Sequence, residues 1–391
     1  MSKLLISCDE FIYEHDGIYY AANQEKYDLF ERYLRVFDTI RLVCRCGKEQ
    51  DLKSNRVPLN QDSRIEIVPV PMFHGIKEYA CAYFRVGRSL YNICEGCDAA
   101  IIRIPSTLAI RVGYLVIRSG IPYACEVVYD AEDGWRGYKG LSRLAWKRID
   151  QQMRELCSNA DGVSCVTEHY LQRHYFSKKN GAFTGHYSSL ALDKIFYGQP
   201  RLFPKEHVFV IAHLANQIGE QSAKGHKETI EAVKILKERG IEVRVKFAGN
   251  NRLGGVERFK HYAEELGVSN EVEFVGFLSR EGVGSLLSEA DLFVMPTRAE
   301  GLPRVIIEAM AKGLPCVTTP VSGNPELIEQ HFLVPYEDVE NLANRIEELC
   351  LSKELYEETS KINFERSKKY EASILQARRD SFYAKLKEKT V

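Results

Sequence analysis

Residues 292–313 read LFVMPTRAEGLPRVIIEAMAKG, and the fold turns on how this stretch divides. Leu292–Met295 is a short, continuously apolar run, as a parallel strand needs when helices cover both its faces. PRVIIEAMAKG has helical spacing, and Pro303 is read as the first helical residue, where a missing N–H costs nothing. TRAEGL is then a strand-to-helix turn at the carboxyl edge of a sheet. Gly301 permits close approach to the backbone, and the free N–H groups of the first helical turn attract an anion such as a diphosphate. Glu300 lies in the turn and Glu308 about one and a half turns into the helix. Carboxylates hold phosphate poorly but accept sugar hydroxyls well. The stretch therefore suits a diphosphate with a polyol on either side, which is the layout of a nucleotide-sugar.

Outward from this turn, the C-terminal half repeats strand and helix. HVFVIAHL, VRVKFAG, VEFVGF and PCVTTP are apolar strand-like runs, separated by amphipathic stretches such as KETIEAVKILKERG and VERFKHYAEELG. That alternation predicts a doubly wound α/β domain. The N-terminal half repeats the theme with KLLISC, TIRLVCRC, RIEIVPVP, AAIIRIP, PYACEVVYD and GVSCVT as strands, and STLAIRVGYLVIRSG as a helix capped by Ser106. KIFYGQPRLFPKEH, with Pro200 and Pro204, has the weakest periodicity and is read as a linker. The expected domains are 1–198, 199–372 and a helix over 373–391 that packs back on the first domain. Two Rossmann-like domains would then face each other across a cleft, with ligands at the carboxyl ends of the strands.

Composition narrows the class. A chain of 391 residues suits two domains. A net charge of −1 argues against a generic nucleic-acid binder. The 11 cysteines are scattered and read as reduced cytosolic thiols. Cys44, Cys46, Cys94 and Cys97 do not have a standard zinc spacing. The apolar run before Asp9 and Glu10 is too short for a signal peptide, and no stretch reaches the ~20 apolar residues that span a bilayer. The expected location is the cytoplasm, at the inner face of its membrane. The tail from Lys361 carries nine Lys/Arg against four acids and reads as a solvated helix buried on its Ile374, Leu375, Phe382 and Leu386 side.

The stretch also resembles the E-x7-E signature of retaining glycosyltransferases of family 4, which have the GT-B fold. The resemblance covers roughly 170 residues in family order, from KGHKETIEAVKIL through FAGN and VEFVGF to SGNPELI. It implies a metal-independent enzyme without a cofactor, whose donor is a UDP- or GDP-linked sugar and whose acceptor is a glycan or lipid-linked intermediate of a surface polysaccharide. Glu300 would hold hydroxyls of the transferred hexose and Glu308 those of the ribose. Gly301 and Leu302 would give N–H groups to the diphosphate, Lys224 would neutralise the leaving phosphate, and Phe277 would flank the base. Glu326 reads as part of a helix start.

Three departures from the family pattern stand out. The loop ANQIGEQSAKG lacks the usual Arg, for which Arg298 or Arg252 could substitute. DEFIYEHDGIYY offers Gly17 alone where relatives carry a Gly-Gly loop. After PYACEVVY there is Asp130, with Glu132 and Asp133, where many members have a His. Asp130 is taken as an acceptor-site residue against a cap or turn role, and Arg103 as a second such candidate. WRGYKGLSRLAWKR holds Arg136, Lys139, Arg143, Lys147 and Arg148 among Trp135, Tyr138 and Trp146. With Arg154 on the same face, and Ala145, Ile149, Met153 and Leu156 behind, residues 135–154 suit an anionic membrane surface or a solvated face. The competing functions are a nucleotide-sugar epimerase of the same fold and a non-catalytic partner subunit. An NAD site at GVGSLL lacks its third glycine.

Overall fold

The computed structural model describes residues 1–132, 140–190, 192, 194–204, 208–219 and 223–390. Two compact units emerge from it, Met1–Tyr187 with Gln376–Val391, and Ser188–Leu375.

The first unit contains β1 (Lys3–His15), β2 (Ile18–Ala21), α1 (Gln24–Glu31), β3 (Thr39–Lys48), β4 (Val57–Pro58), β5 (Ile65–Pro71), α2 (Gly75–Ser89), β6 (Ala99–Ile104), α3 (Thr107–Ser119), β7 (Tyr123–Val127), α4 (Gly140–Asn159), β8 (Gly162–Cys165) and β9 (Phe183–His186). Seven strands form a parallel sheet in the order β5-β3-β1-β6-β7-β8-β9. Its central strands are apolar on both faces: Leu4, Leu5, Ile101, Ile102 and Ala124 are all inaccessible to solvent. Ser106 caps α3 by accepting the Ala109 N–H at 3.3 Å, as the sequence predicts.

DEFIYEHDGIYY departs from expectation. β1 runs on to His15 and turns back through Asp16 and Gly17 into β2, which pairs with it antiparallel. Both turn residues have positive φ, 50° and 78°. That geometry suits a two-residue hairpin and favours Asp-Gly. Gly17 is therefore a hairpin turn, not the remnant of a phosphate loop.

The second unit contains β10 (Phe209–Ile218), α5 (His226–Glu238), β11 (Val243–Asn251), α6 (Gly255–Glu265), β12 (Val272–Gly276), α7 (Arg280–Glu289), β13 (Leu292–Met295), α8 (Arg304–Ala311), β14 (Cys316–Thr318), α9 (Asn324–Leu327), α10 (Val339–Leu351) and α11 (Lys353–Ser367). Its five strands are parallel in the order β12-β11-β10-β13-β14. Each strand expected from the sequence in this half is present. Helix α8 begins at Arg304 with Pro303 as its extended N-cap, one residue outside the position predicted for Pro303. Proline serves there because the cap φ of −71° is close to its fixed value.

The division between units falls at Tyr187/Ser188 rather than at 198/199. KIFYGQPRLFP is held to the second unit: Phe196 is 1% exposed, and Arg201 donates to the carbonyls of Lys312, Leu287 and Ser288. The last helix, α12 (Ala372–Glu388), contributes its residues from Gln376 on to the first unit. Phe382 and Leu386 are buried as expected, whereas Ile374 is 37% exposed.

Candidate active site

In the second unit the connections reverse direction between β10 and β13. Open α/β sheets bind ligands outside the carboxyl ends of the strands at such a switch point. The two loops there carry Lys224 and Glu300, and they are laced together. The Arg298 N–H donates to the Ala223 carbonyl at 2.7 Å, and the Thr297 hydroxyl donates to the same oxygen at 2.9 Å. Lys224 Nζ is ion-paired with Glu300, whose side chain is 11% exposed.

Gly225 caps α5 with φ 76°, and a Cβ there would lie 2.1 Å from the Pro296 carbonyl oxygen. The Lys-Gly pair is thus a packing requirement as well as a charge. Residue 224 sits where it does because only glycine lets the next residue press against Pro296.

A third loop, after β14, closes on the same turn. The Gly323 N–H donates to the Gly301 carbonyl at 3.0 Å, and Asn324 Nδ2 donates to the Thr319 carbonyl at 3.0 Å. Ser322 Oγ and Asn324 Oδ1 are buried with no hydrogen-bond partner, and Ser322 holds a φ of 47°. Buried polar atoms left unpaired in strained backbone are characteristic of sites that wait for a ligand.

Glu308 lies at the fifth position of α8, between buried Ile307 and Ala309, and is itself half-buried. Gly301 and Leu302 are buried in the turn. Phe277 follows β12 with 71% of its surface exposed, an apolar ring held out at the carboxyl edge. Arg298 donates to the Tyr336 hydroxyl at 2.8 Å and lies 4.6 Å from that ring's centroid. Burial and the neighbouring Glu228 push the Tyr336 phenol up to about 12, against the pull of Arg298. Arg252 donates to Gln217 at 2.6 Å. Of the two arginines, Arg298 belongs to the turn shared with Ala223.

Behind Lys224, the rings of His213 and His226 lie 4.7 Å apart, against Phe247. Burial and Lys224 lower His226 to about 4, so it is neutral at ordinary pH. Sequence reading passed over this pair, as it did Tyr336, Ser322 and Asn324. A histidine inside the apolar run VFVIAHL was the available signal.

The first-unit candidates fare differently. Arg103 donates to Glu126 Oε2 at 3.0 Å and is 11% exposed. Glu126, unremarked inside YACEV, faces Arg103 from the adjacent strand. Asp130 is fully buried. Its Oδ1 accepts from the Tyr175 hydroxyl at 3.0 Å and from the Glu132 N–H at 2.9 Å. Those bonds are the turn role weighed against acceptor binding, while Oδ2 is buried without a hydrogen-bond partner, 3.7 Å from His174 Nδ1. Asp133, Trp135, Arg136, Tyr138 and Lys139 lie outside the described residues. Among the described residues, no group of three or more His, Cys, Asp or Glu could hold a metal ion. None of their helices is long and apolar enough to cross a membrane.

Residues 215–366 match the family described as glycosyl transferases group 1. The segment, less than half of the chain, is similar to the domain of that family. It includes Lys224, Glu300 and Glu308, and it spans the switch point just described. Protein CapJ of Staphylococcus aureus is 23% identical to the chain over 381 residues, which is 97% of the chain and 94% of CapJ. The putative colanic acid biosynthesis glycosyltransferase WcaL of Escherichia coli (strain K12) is 37% identical over 133 residues, but this spans 32% of either protein. HepE of Anabaena, solved in complex with UDP-glucose, superposes with a TM-score of 0.66 at 16% identity, covering 97% of this chain and 98% of that one. The fold is therefore GT-B, and the segment similar to group 1 glycosyl transferases lies in its C-terminal Rossmann-like half.

Proposed function

We propose that the chain is a retaining hexosyltransferase of surface polysaccharide synthesis, moving a hexose from a UDP- or GDP-sugar to a hydroxyl of a glycan or lipid-linked acceptor. The observation that carries this reading is the Lys224–Glu300 pair at the switch point, inside the segment similar to group 1 glycosyl transferases. WcaL is named for colanic acid biosynthesis and HepE is solved with UDP-glucose, which supports a surface glycan as product and a nucleotide-sugar as donor.

In this reading, Glu308 accepts the ribose hydroxyls and Glu300 accepts hydroxyls of the hexose. A bound diphosphate competes with Glu300 for the Lys224 ammonium. That ammonium then stabilises the charge that grows on the phosphate oxygen as the bond to the anomeric carbon breaks. The acceptor oxygen bonds to the anomeric carbon from the same face and passes its proton to the departing phosphate oxygen. Peripheral membrane contact through residues 140–154 belongs to the same proposal. Leu141 and Leu144 are 84% and 63% exposed there, beside Arg143, Lys147 and Arg148.

Glu300→Ala and Glu308→Ala test the assignment. Transfer from the donor should fall by about 100-fold or more in each. Glu308→Ala should also lose the thermal stabilisation that UDP or GDP gives the wild type. Unchanged turnover and unchanged nucleotide stabilisation in both variants would overturn it.

A further inference from the structure

Helix α2 buries one face and leaves the other bare. Ala82, Val86 and, just past its end, Leu90 are at most 3% exposed, and the helix packs on β5. On the opposite side Lys77, Cys81, Phe84 and Arg88 follow at spacings of four, three and four, with Ala80 beside them, so that they share one stripe. All five are exposed. Phe84 has 87% of its surface open and Tyr91, beyond the helix, 81%. Aromatic rings this open, grouped on one face, mark a contact surface. The borders of the stripe are held rigid. Arg111 of α3 lies along one of them, with Nη1 donating to the Tyr83 carbonyl at 2.9 Å and the guanidinium 4.1 Å from the Tyr83 ring centroid. Gly87 leaves room for it, since a Cβ there would lie 2.5 Å from Arg111 Nη2. The Tyr83 ring meets that of Phe84 edge-on, with centroids 5.7 Å apart. On the other border Glu78 accepts the His74 N–H at 2.6 Å, which fixes its carboxylate at the first turn.

The pattern is complementary to itself. Bulky Phe84 lies one turn from small Ala80 and Cys81, and acidic Glu78 lies two turns from basic Arg85 on the same border. With a second α2 antiparallel to the first, and the two-fold axis level with Cys81 and Ala82, position 78 of one copy comes opposite position 85 of the other. Each Phe84 then covers the partner's Ala80 and Cys81, and two Glu78–Arg85 pairs close one border. A two-fold contact uses the same patch on both subunits, which is what this arrangement supplies. A parallel pair would instead set Arg85 against Arg85 and Phe84 against Phe84. A bilayer is a poorer fit: anionic lipid repels Glu78, and Ala80 and Cys81 at the centre give it little to bury. Arginine with aromatic rings is also the composition of protein–protein contact surfaces.

We propose that the bare face of α2 binds a second copy of this chain, in a two-fold dimer contact between antiparallel α2 helices. Sedimentation velocity on the full chain tests it. The wild type should pass from monomer to dimer as its concentration rises from about 1 to 100 µM. Phe84→Glu, at an open position, should keep the wild-type thermal midpoint and raise the dimer dissociation constant about ten-fold or more. Arg85→Glu and Glu78→Arg should each weaken the dimer, and the double variant should recover it, because the pair is then restored with its charges exchanged. A short bismaleimide should link two wild-type chains through exposed Cys81 and fail to link Cys81→Ser. The contact would be overturned by a wild type that stays monomeric to about 100 µM, by a Phe84→Glu chain that dimerises as the wild type does, by a double variant no better than the single ones, or by a dimer that Cys81 does not link. A monomeric wild type that binds phosphatidylglycerol vesicles, where Phe84→Glu does not, would overturn it in favour of a bilayer.

Discussion

Glu126 is the residue whose environment departs most from what its neighbours in sequence suggest. It is 2% exposed and accepts five donors: Arg32, Arg103 and the hydroxyls of Tyr33, Tyr187 and Tyr383. Burial alone would raise its pKa, but Arg32 and Arg103, helped by the tyrosine hydroxyls, outweigh that and bring it down to about 2. A depressed carboxylate contributes stability above its unfolded pKa of ~4.3, and the contribution disappears as pH falls toward the folded value. The shift corresponds to roughly 3 kcal/mol in this nearly inaccessible setting. Urea midpoints of the wild type should therefore drop between about pH 5 and pH 2. Glu126→Gln should be weaker by about 3–5 kcal/mol at pH 7, because it leaves Arg32 and Arg103 facing each other uncompensated. Glu126→Gln should also have a flatter pH profile across that window. A variant with wild-type stability at pH 7 would show that the carboxylate does not bind the cluster together.

Among the elements, the two loops of the second-unit switch point depend on each other, and Gly225 is where that dependence is sharpest. A methyl group there meets the Pro296 carbonyl at 2.1 Å and strains a φ of 76°. Gly225→Ala should cost about 2–4 kcal/mol. Because the loop displaced is the one bearing Lys224, nucleotide-induced stabilisation should disappear along with it. Calorimetry showing lower stability but an intact nucleotide shift would separate the loop's packing from its function. Much of this unit was legible from sequence because its strands are apolar on both faces, and because Lys224, Glu300 and Glu308 follow one another at fixed places in strand-turn-helix repeats. The first unit was less legible. YACEV shows Glu126 but not its partners, since Tyr33, Tyr187 and Tyr383 reach it from segments far apart in the chain. EHDGIYY holds a hairpin signal in Asp16-Gly17, but comparison with a family loop drew attention to the missing second glycine instead. The fixed run 194–204 looked like a linker because it has no periodicity, although backbone carbonyls and Arg201 anchor it without any.

For the molecule as a whole, the chain's end matters more than its composition suggests. From Gln376 onward α12 belongs to the first unit. Tyr383 donates to Glu126 at 2.7 Å, the Phe382 ring lies 4.9 Å from that of Phe183, and Lys387 donates to the Val36 carbonyl at 2.7 Å. A Cβ at Gly185 would sit 2.7 Å from Phe382 Cδ2, so β9 lacks a side chain where this ring packs. A chain ending at Leu375 would lose a buried phenylalanine, tyrosine and leucine from the first unit, which costs about 5 kcal/mol or more. At ~2–4 °C per kcal/mol for a domain of this size, the first unit's thermal transition should fall by roughly 10 °C or more. The second unit keeps Lys224, Glu300 and Glu308 and all their partners named above, so its transition and its response to UDP or GDP should persist. Differential scanning calorimetry of the truncated and full chains, with and without nucleotide, reads both. Loss of the nucleotide response on truncation would mean that the donor site depends on the first unit's integrity, contrary to the independence that its residues imply.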